Sequence, residues 1–140
     1  MFIMKTLKII CVMATLFFAT VFICNAQSAD VTVVVDGIKE AKGKIMVAAG
    51  DQSNPTGMKY NMVELTSTGK VTCVLKDVPV GKCGLYVFQD LNDNYQLDKD
   101  ENQIPVEPCY IKESMTVKEG GVKIEVKLMN VKEMMGKKDE

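Results

Sequence analysis

The residues of this chain most able to do chemistry by type and spacing lie in one twelve-residue stretch, Asp90–Glu101, which reads D-L-N-D-N-Y-Q-L-D-K-D-E. Counting from Asp90, oxygen-bearing side chains fall at positions 1, 3, 5, 7, 9 and 12, namely Asp90, Asn92, Asn94, Gln96, Asp98 and Glu101, with apolar Leu97 at position 8. That is the ligand spacing of an EF-hand-type calcium loop. A hard cation takes six to eight oxygens, and alternate residues of a tight loop can turn theirs inward at about 2.3–2.6 Å while a late glutamate closes the cage. Calcium is therefore the one cofactor the sequence points to. Position 7 normally contributes its backbone carbonyl, so Gln96 need not offer its side chain. Position 6 normally needs glycine for a positive φ, and here it is Tyr95, at a cost of about 1 kcal/mol or more. The same residues are also those of an acidic surface turn in which Asp and Asn bond to their own backbone. Glu107, between Pro105 and Pro108, is either an additional ligand for the loop or a cap for backbone donors.

Few other chemistries are open to the chain. It has 140 residues and no histidine, and all seventeen of its basic residues are lysine. Histidine-based triads, imidazole metal ligands and arginine clamps on phosphate or carboxylate are thereby excluded. A formal charge of −1 speaks against a nucleic-acid partner. Zinc is poorly served by cysteines without ligand spacing. Cys73, on an apolar face, reads as a small buried hydrophobe. A carboxylate-based hydrolase would need a marked acid pair, and none stands out. A sugar platform of stacked aromatics is thinly supplied by Tyr60, Tyr86, Tyr95 and Tyr110.

The elements that must hold the acidic stretch read as strands. Asp30–Ile38 and Lys44–Ala49 alternate, placing Val31, Val33 and Val35 on one face, and Ile45, Val47 and Ala49 on another. Asp51–Gly57 is dense in turn formers. Tyr60–Leu65, Val71–Lys76, Lys82–Gln89 and Val122–Leu128 follow, the last with Val122, Ile124, Val126 and Leu128 inward and Lys123, Glu125 and Lys127 outward. No stretch after residue 26 sustains helical periodicity over three turns. The pattern predicts an all-β fold, an antiparallel Greek-key β-sandwich of about seven strands over residues 27–130, followed by a charged, disordered tail, 131–140.

The start of the chain reads as a leader. Lys5 and Lys8 precede the apolar run Ile9–Cys24, and Cys24 and Ala26 are small at the −3 and −1 positions of a cut before Gln27. Sixteen residues of helix reach about 24 Å, short of a ~30 Å hydrocarbon core. Residues 1–26 are thus expected to be a cleaved signal peptide, and the mature domain to be exported to the periplasm or beyond, touching membrane only through that segment while uncleaved.

One family resemblance emerges from these residues. Gly81–Gln89, the D-x-N-x-N loop from Asp90, the segment Ile104-Pro105-Val106-Glu107-Pro108 and the opening Gly43-Lys44-Ile45 together resemble a bacterial family of secreted domains, domain of unknown function 2141. The resemblance covers most of Val31–Leu128. It implies a small Greek-key sandwich related to transthyretin-like and carboxypeptidase-regulatory modules, with no established activity. Three departures from the family pattern stand out: Tyr95 for the loop glycine, Cys83 for a strand tyrosine and Cys109 for the aromatic after Glu107-Pro108. If those two aromatics pack together, the resemblance implies a Cys83–Cys109 disulfide; Cys73–Cys83 and no bond at all are the competing arrangements.

The expected function is that of a non-enzymatic accessory or binding domain whose acidic loop is ordered by calcium. Its partner would be an envelope or extracellular protein or glycan. A hydrolase of envelope polymers and a peptide-binding module that adds a strand to a sheet edge are the alternatives.

Overall fold

A computed structural model describes residues 27–137; the expected signal peptide, 1–26, lies outside the described residues, as does 138–140. Seven strands form two sheets: β1 (Ser28–Ile38), β2 (Lys44–Gly50), β3 (Lys59–Glu64), β4 (Gly69–Pro79), β5 (Gly81–Asp90), β6 (Cys109–Val117) and β7 (Val122–Lys127). One sheet has the order β4-β1-β7 and the other β3-β2-β5-β6. The chain passes between sheets after β1, β3, β4 and β6, the winding of a Greek-key sandwich.

Alternation decides which side of each strand faces in. Val31, Val33 and Val35 of β1 are fully buried, and Ile45, Val47 and Ala49 of β2 meet them from the other sheet with Leu85 of β5, while Leu75 of β4 packs beside β1. Branched aliphatic side chains suit this packing because they lose little rotamer freedom on a pleated surface. Phe88 is not in the core; it alternates with buried Val87 and lies on the outer side of the second sheet.

Two expectations need adjustment, and one strand has no counterpart among those expected. Within the sandwich, β1 and β7 pair parallel, Val31 with Val122 through Asp36 with Lys127. A strand arriving from the opposite sheet, as β7 does after β6, is free to lie in either direction beside β1. The added strand, β6, carried no clean alternation, because Lys112-Glu113-Ser114 interrupts it. It forms because β5 offers an open edge, with Phe88 opposite Cys109 and Gly81 opposite Val117. Secondly, the expected disordered tail is helical over α1 (Val131–Gly136), where Asn130 Oδ1 accepts from Glu133 N at 3.2 Å.

The Cys83–Cys109 disulfide is also corrected. Cys83 stands opposite Met115 and Cys109 opposite Phe88, five residues farther along β5, roughly 17 Å at the strand rise. The two also face opposite ways: Cys83 packs against the core, whereas Cys109 pairs with outward Phe88. A bridge needs Cα atoms within about 7 Å. Cys73, Cys83 and Cys109 are all free thiols, and burial pushes each of them above the ordinary cysteine value.

Candidate functional site

The acidic loop joins β5 to β6 and begins with Asp90, the last residue of β5 and one with no exposed surface. Asp90 pairs with Lys44 across the sheet, and Gly43 (φ +68°) passes so close that a Cβ there would sit 1.9 Å from the Asp90 carbonyl oxygen. Only glycine allows that approach. Next to it, the buried Gln89 side chain donates at 2.9 Å to the carbonyls of both Glu40 and Lys42, tying the β1–β2 connection to the root of the loop.

From this root the chain winds around the Asp90 carboxylate. Oδ1 accepts from Asn94 N at 3.2 Å and Oδ2 from Tyr95 N at 2.9 Å. Asn92 Oδ1 accepts from Asn94 N, and Asn94 Oδ1 from Gln96 N. Asp93 and Tyr95 are both left-handed, with φ of +55° and +63°. Tyr95 thus adopts the backbone that position 6 demands although it is not glycine. A contact that sequence spacing does not reveal accompanies it. The Lys44 ammonium lies 4.0 Å from the centre of the Tyr95 ring and 3.3 Å from Asp93 Oδ1, with the lysine stem buried. This cation–π and ion-pair clamp ties the strained turn to β2. The Gly43-Lys44-Ile45 opening was visible in the sequence, but nothing there said that Lys44 reaches the loop.

Asp98 closes the loop. Its Oδ2 accepts from Asn92 Nδ2 at 2.6 Å and its Oδ1 from Asn94 Nδ2 at 2.7 Å, so positions 1, 3, 5 and 9 are drawn together. Glu107 is almost fully buried, and its two oxygens accept from Leu91 N at 3.0 Å and Asp98 N at 3.1 Å. It therefore caps backbone donors at both ends of the wound segment. Burial raises its carboxyl above the ordinary range, the nearby charges of Asp98 and Asp90 add to that, and the two N–H bonds oppose it. Gln96 is exposed and joins the cluster through its backbone. Glu101 stands exposed in the following turn and enters none of these hydrogen bonds, so position 12 is not gathered with the rest.

As a cation site the loop is lean in charge. Among the described residues no three acidic or cysteine side chains converge as a metal cluster, so an ion here would rest on two carboxylates plus amide and carbonyl oxygens. That donor set suits calcium, which accepts neutral oxygens, better than zinc. Two amide N–H groups now lie against the Asp98 oxygens, where positive charge is favoured.

Comparison with known families matches residues 33–133 to the family described as an uncharacterized protein conserved in bacteria, DUF2141. The chain belongs to that family. The matched span runs from within β1 into α1 and includes the whole acidic loop and Glu107. Comparison with the curated proteins and with the solved structures gives no match.

Proposed function

We propose that this DUF2141 domain is an exported, non-enzymatic binding or accessory module whose Asp90–Asp98 loop takes one calcium ion. The ligands are Asp90, Asn92, Asn94 and Asp98 with the Gln96 carbonyl. The observation that carries the reading is the loop's ion-ready winding, with Tyr95 held at φ +63° and both Asp98 oxygens engaged by the Asn92 and Asn94 side chains. Calcium would replace two N–H···O contacts with oxygen ligation, and two carboxylates balance its charge. The leader before Gln27 supports a compartment where modules work at roughly 10⁻⁴–10⁻³ M calcium, which such a lean site can meet.

The non-enzymatic reading draws support from how a buried acid is used. Both oxygens of Glu107 accept backbone N–H groups, which holds it in place as a structural anchor. Strand addition is disfavoured by charge on two edge strands, Lys112-Glu113 in β6 and Lys123, Glu125 and Lys127 in β7.

The test is thermal unfolding in millimolar calcium against chelator. At ten times its dissociation constant calcium adds about 1.4 kcal/mol, a few degrees of Tm for a domain this size. Asp98→Ala should remove the shift. An unchanged wild-type Tm would show that the loop is an acidic turn and nothing more.

A further inference from the structure

The outer face of the four-stranded sheet carries a second feature, which borders the ion loop at Leu97 and Lys99. One row of residues crosses all four strands in register: Tyr60 of β3, Ala48 of β2, Tyr86 of β5 and Ile111 of β6. The tyrosines extend along their strands. The Tyr86 ring lies over Gly84, where an added Cβ would come within 2.5 Å of the Tyr86 hydroxyl. Tyr60 reaches back so that its hydroxyl donates to Met58 Sδ at 3.6 Å. Because β3 and β5 both run antiparallel to β2, the two rings point the same way, and between them β2 presents only Ala48. The result is an open groove of about 620 Å³ whose lining adds Gln52, Leu97, Lys99 and Gln103 to the two tyrosines. Tyr60 is 64% exposed and Ile111 51%.

Charge and spacing narrow the occupant. In a chain one quarter charged, the groove lining holds a single ionic side chain, Lys99, and no carboxylate. An uncharged ligand with flat apolar faces and polar edges matches it. A pyranose ring has that shape, stacking C–H bonds on an aromatic face and offering hydroxyls to amide side chains. Two strand spacings separate the tyrosine backbones by roughly 9.5 Å, close to two sugar units of an extended β-linked chain. We propose that this face binds an uncharged β-linked glycan laid across the strands, with alternate rings stacked on Tyr60 and Tyr86. The inference rests on reading the domain as a binding module and requires no ion, although Leu97 and Lys99 of the loop line the groove.

The experiment is a titration of the ¹⁵N-labelled mature domain with cellohexaose and with chitohexaose, each run in calcium and in chelator. One hexaose is expected to saturate in both conditions, shifting the amides of Ala48, Tyr60, Tyr86 and Ile111, while the matching disaccharide binds at least tenfold more weakly. Tyr60→Ala and Tyr86→Ala should each weaken the hexaose about tenfold, and Tyr60→Ala, at an exposed position, should leave Tm unchanged. Absence of shifts at millimolar hexaose, shifts outside this face, or equal binding of the disaccharide would overturn the assignment. So would self-association that Tyr60→Ala abolishes, which would give the face to a second copy of the chain. Loss of the calcium-dependent Tm shift with glycan binding intact would refute the ion and leave this site standing.

Discussion

Glu107 shows how one buried acid can serve structure. Its two oxygens join Leu91 and Asp98, residues seven apart in sequence, into one turn. Glu107→Gln retains the shape but turns an NH₂ group toward one of those N–H donors. Leaving a buried donor without an acceptor costs about 1–3 kcal/mol, and urea unfolding should show a loss in that range. Exchange of the Leu91 or Asp98 amide should quicken as well. The thiols give a second expectation at this scale. Burial raises Cys73 above its ordinary pKa, so as pH rises the unfolded chain loses its thiol proton before the folded chain does. Its contribution is fully present below the ordinary thiol value and is lost as pH climbs from there to the raised value. Unfolding free energy measured across the alkaline range should fall in the wild type and fall less in Cys73→Val.

At the scale of the element, the loop depends on the start of β2. Gly43 lets the backbone pass the Asp90 carbonyl, and Lys44 follows at once to grip Tyr95 and Asp93. Gly43→Ala would combine a left-handed φ with a contact of 1.9 Å to backbone, which cannot be relieved by rotating a side chain. A loss of at least about 2 kcal/mol is expected in chemical unfolding, larger than a substitution in an exposed turn gives. Lys44 also explains why Tyr95 is tolerated at a position that favours glycine. The ring supplies a partner for the ammonium, offsetting part of the left-handed strain. Replacing Tyr95 with glycine should therefore change the stability of the calcium-free domain little, since relief of strain is opposed by the lost clamp and by glycine's freedom in the unfolded chain.

For the whole molecule, the sandwich leaves its acidic loop and its aromatic groove on the second sheet, whose strands β2 and β5 hold the root of one and the floor of the other. The first sheet backs the core with β1 at its centre. β1 begins at Ser28, the second residue after the expected cut, and the Gln27 carbonyl accepts from Val80 N at 3.0 Å. A mature domain beginning at Gln27 would keep this bond and all of β1. Edman sequencing of the secreted protein should return Gln27 first, allowing for cyclisation of a terminal glutamine, and recovery of residues 9–24 in a membrane fraction would contradict export by cleavage.

The sequence by itself determined the strands with strict alternation, because a period of two puts Val31, Val33 and Val35, or Ile45, Val47 and Ala49, on one face whatever their partners. It also showed where the oxygen-rich loop lies, since the spacing of side chains is a property of neighbours along the chain. Tertiary structure alone decided the rest. Strand β6 exists because β5 has an edge to fill, and the β1–β7 pairing can be parallel because β7 arrives from the other sheet. Cys83 and Cys109 flank the loop in sequence, yet register sets them five residues apart and on opposite faces. The same register gathers Tyr60, Ala48, Tyr86 and Ile111 from four strands into one row. Local periodicity fixes which way a side chain turns; which side chain lies beside it depends on strand order and register, and those are set by the packing of the whole sandwich.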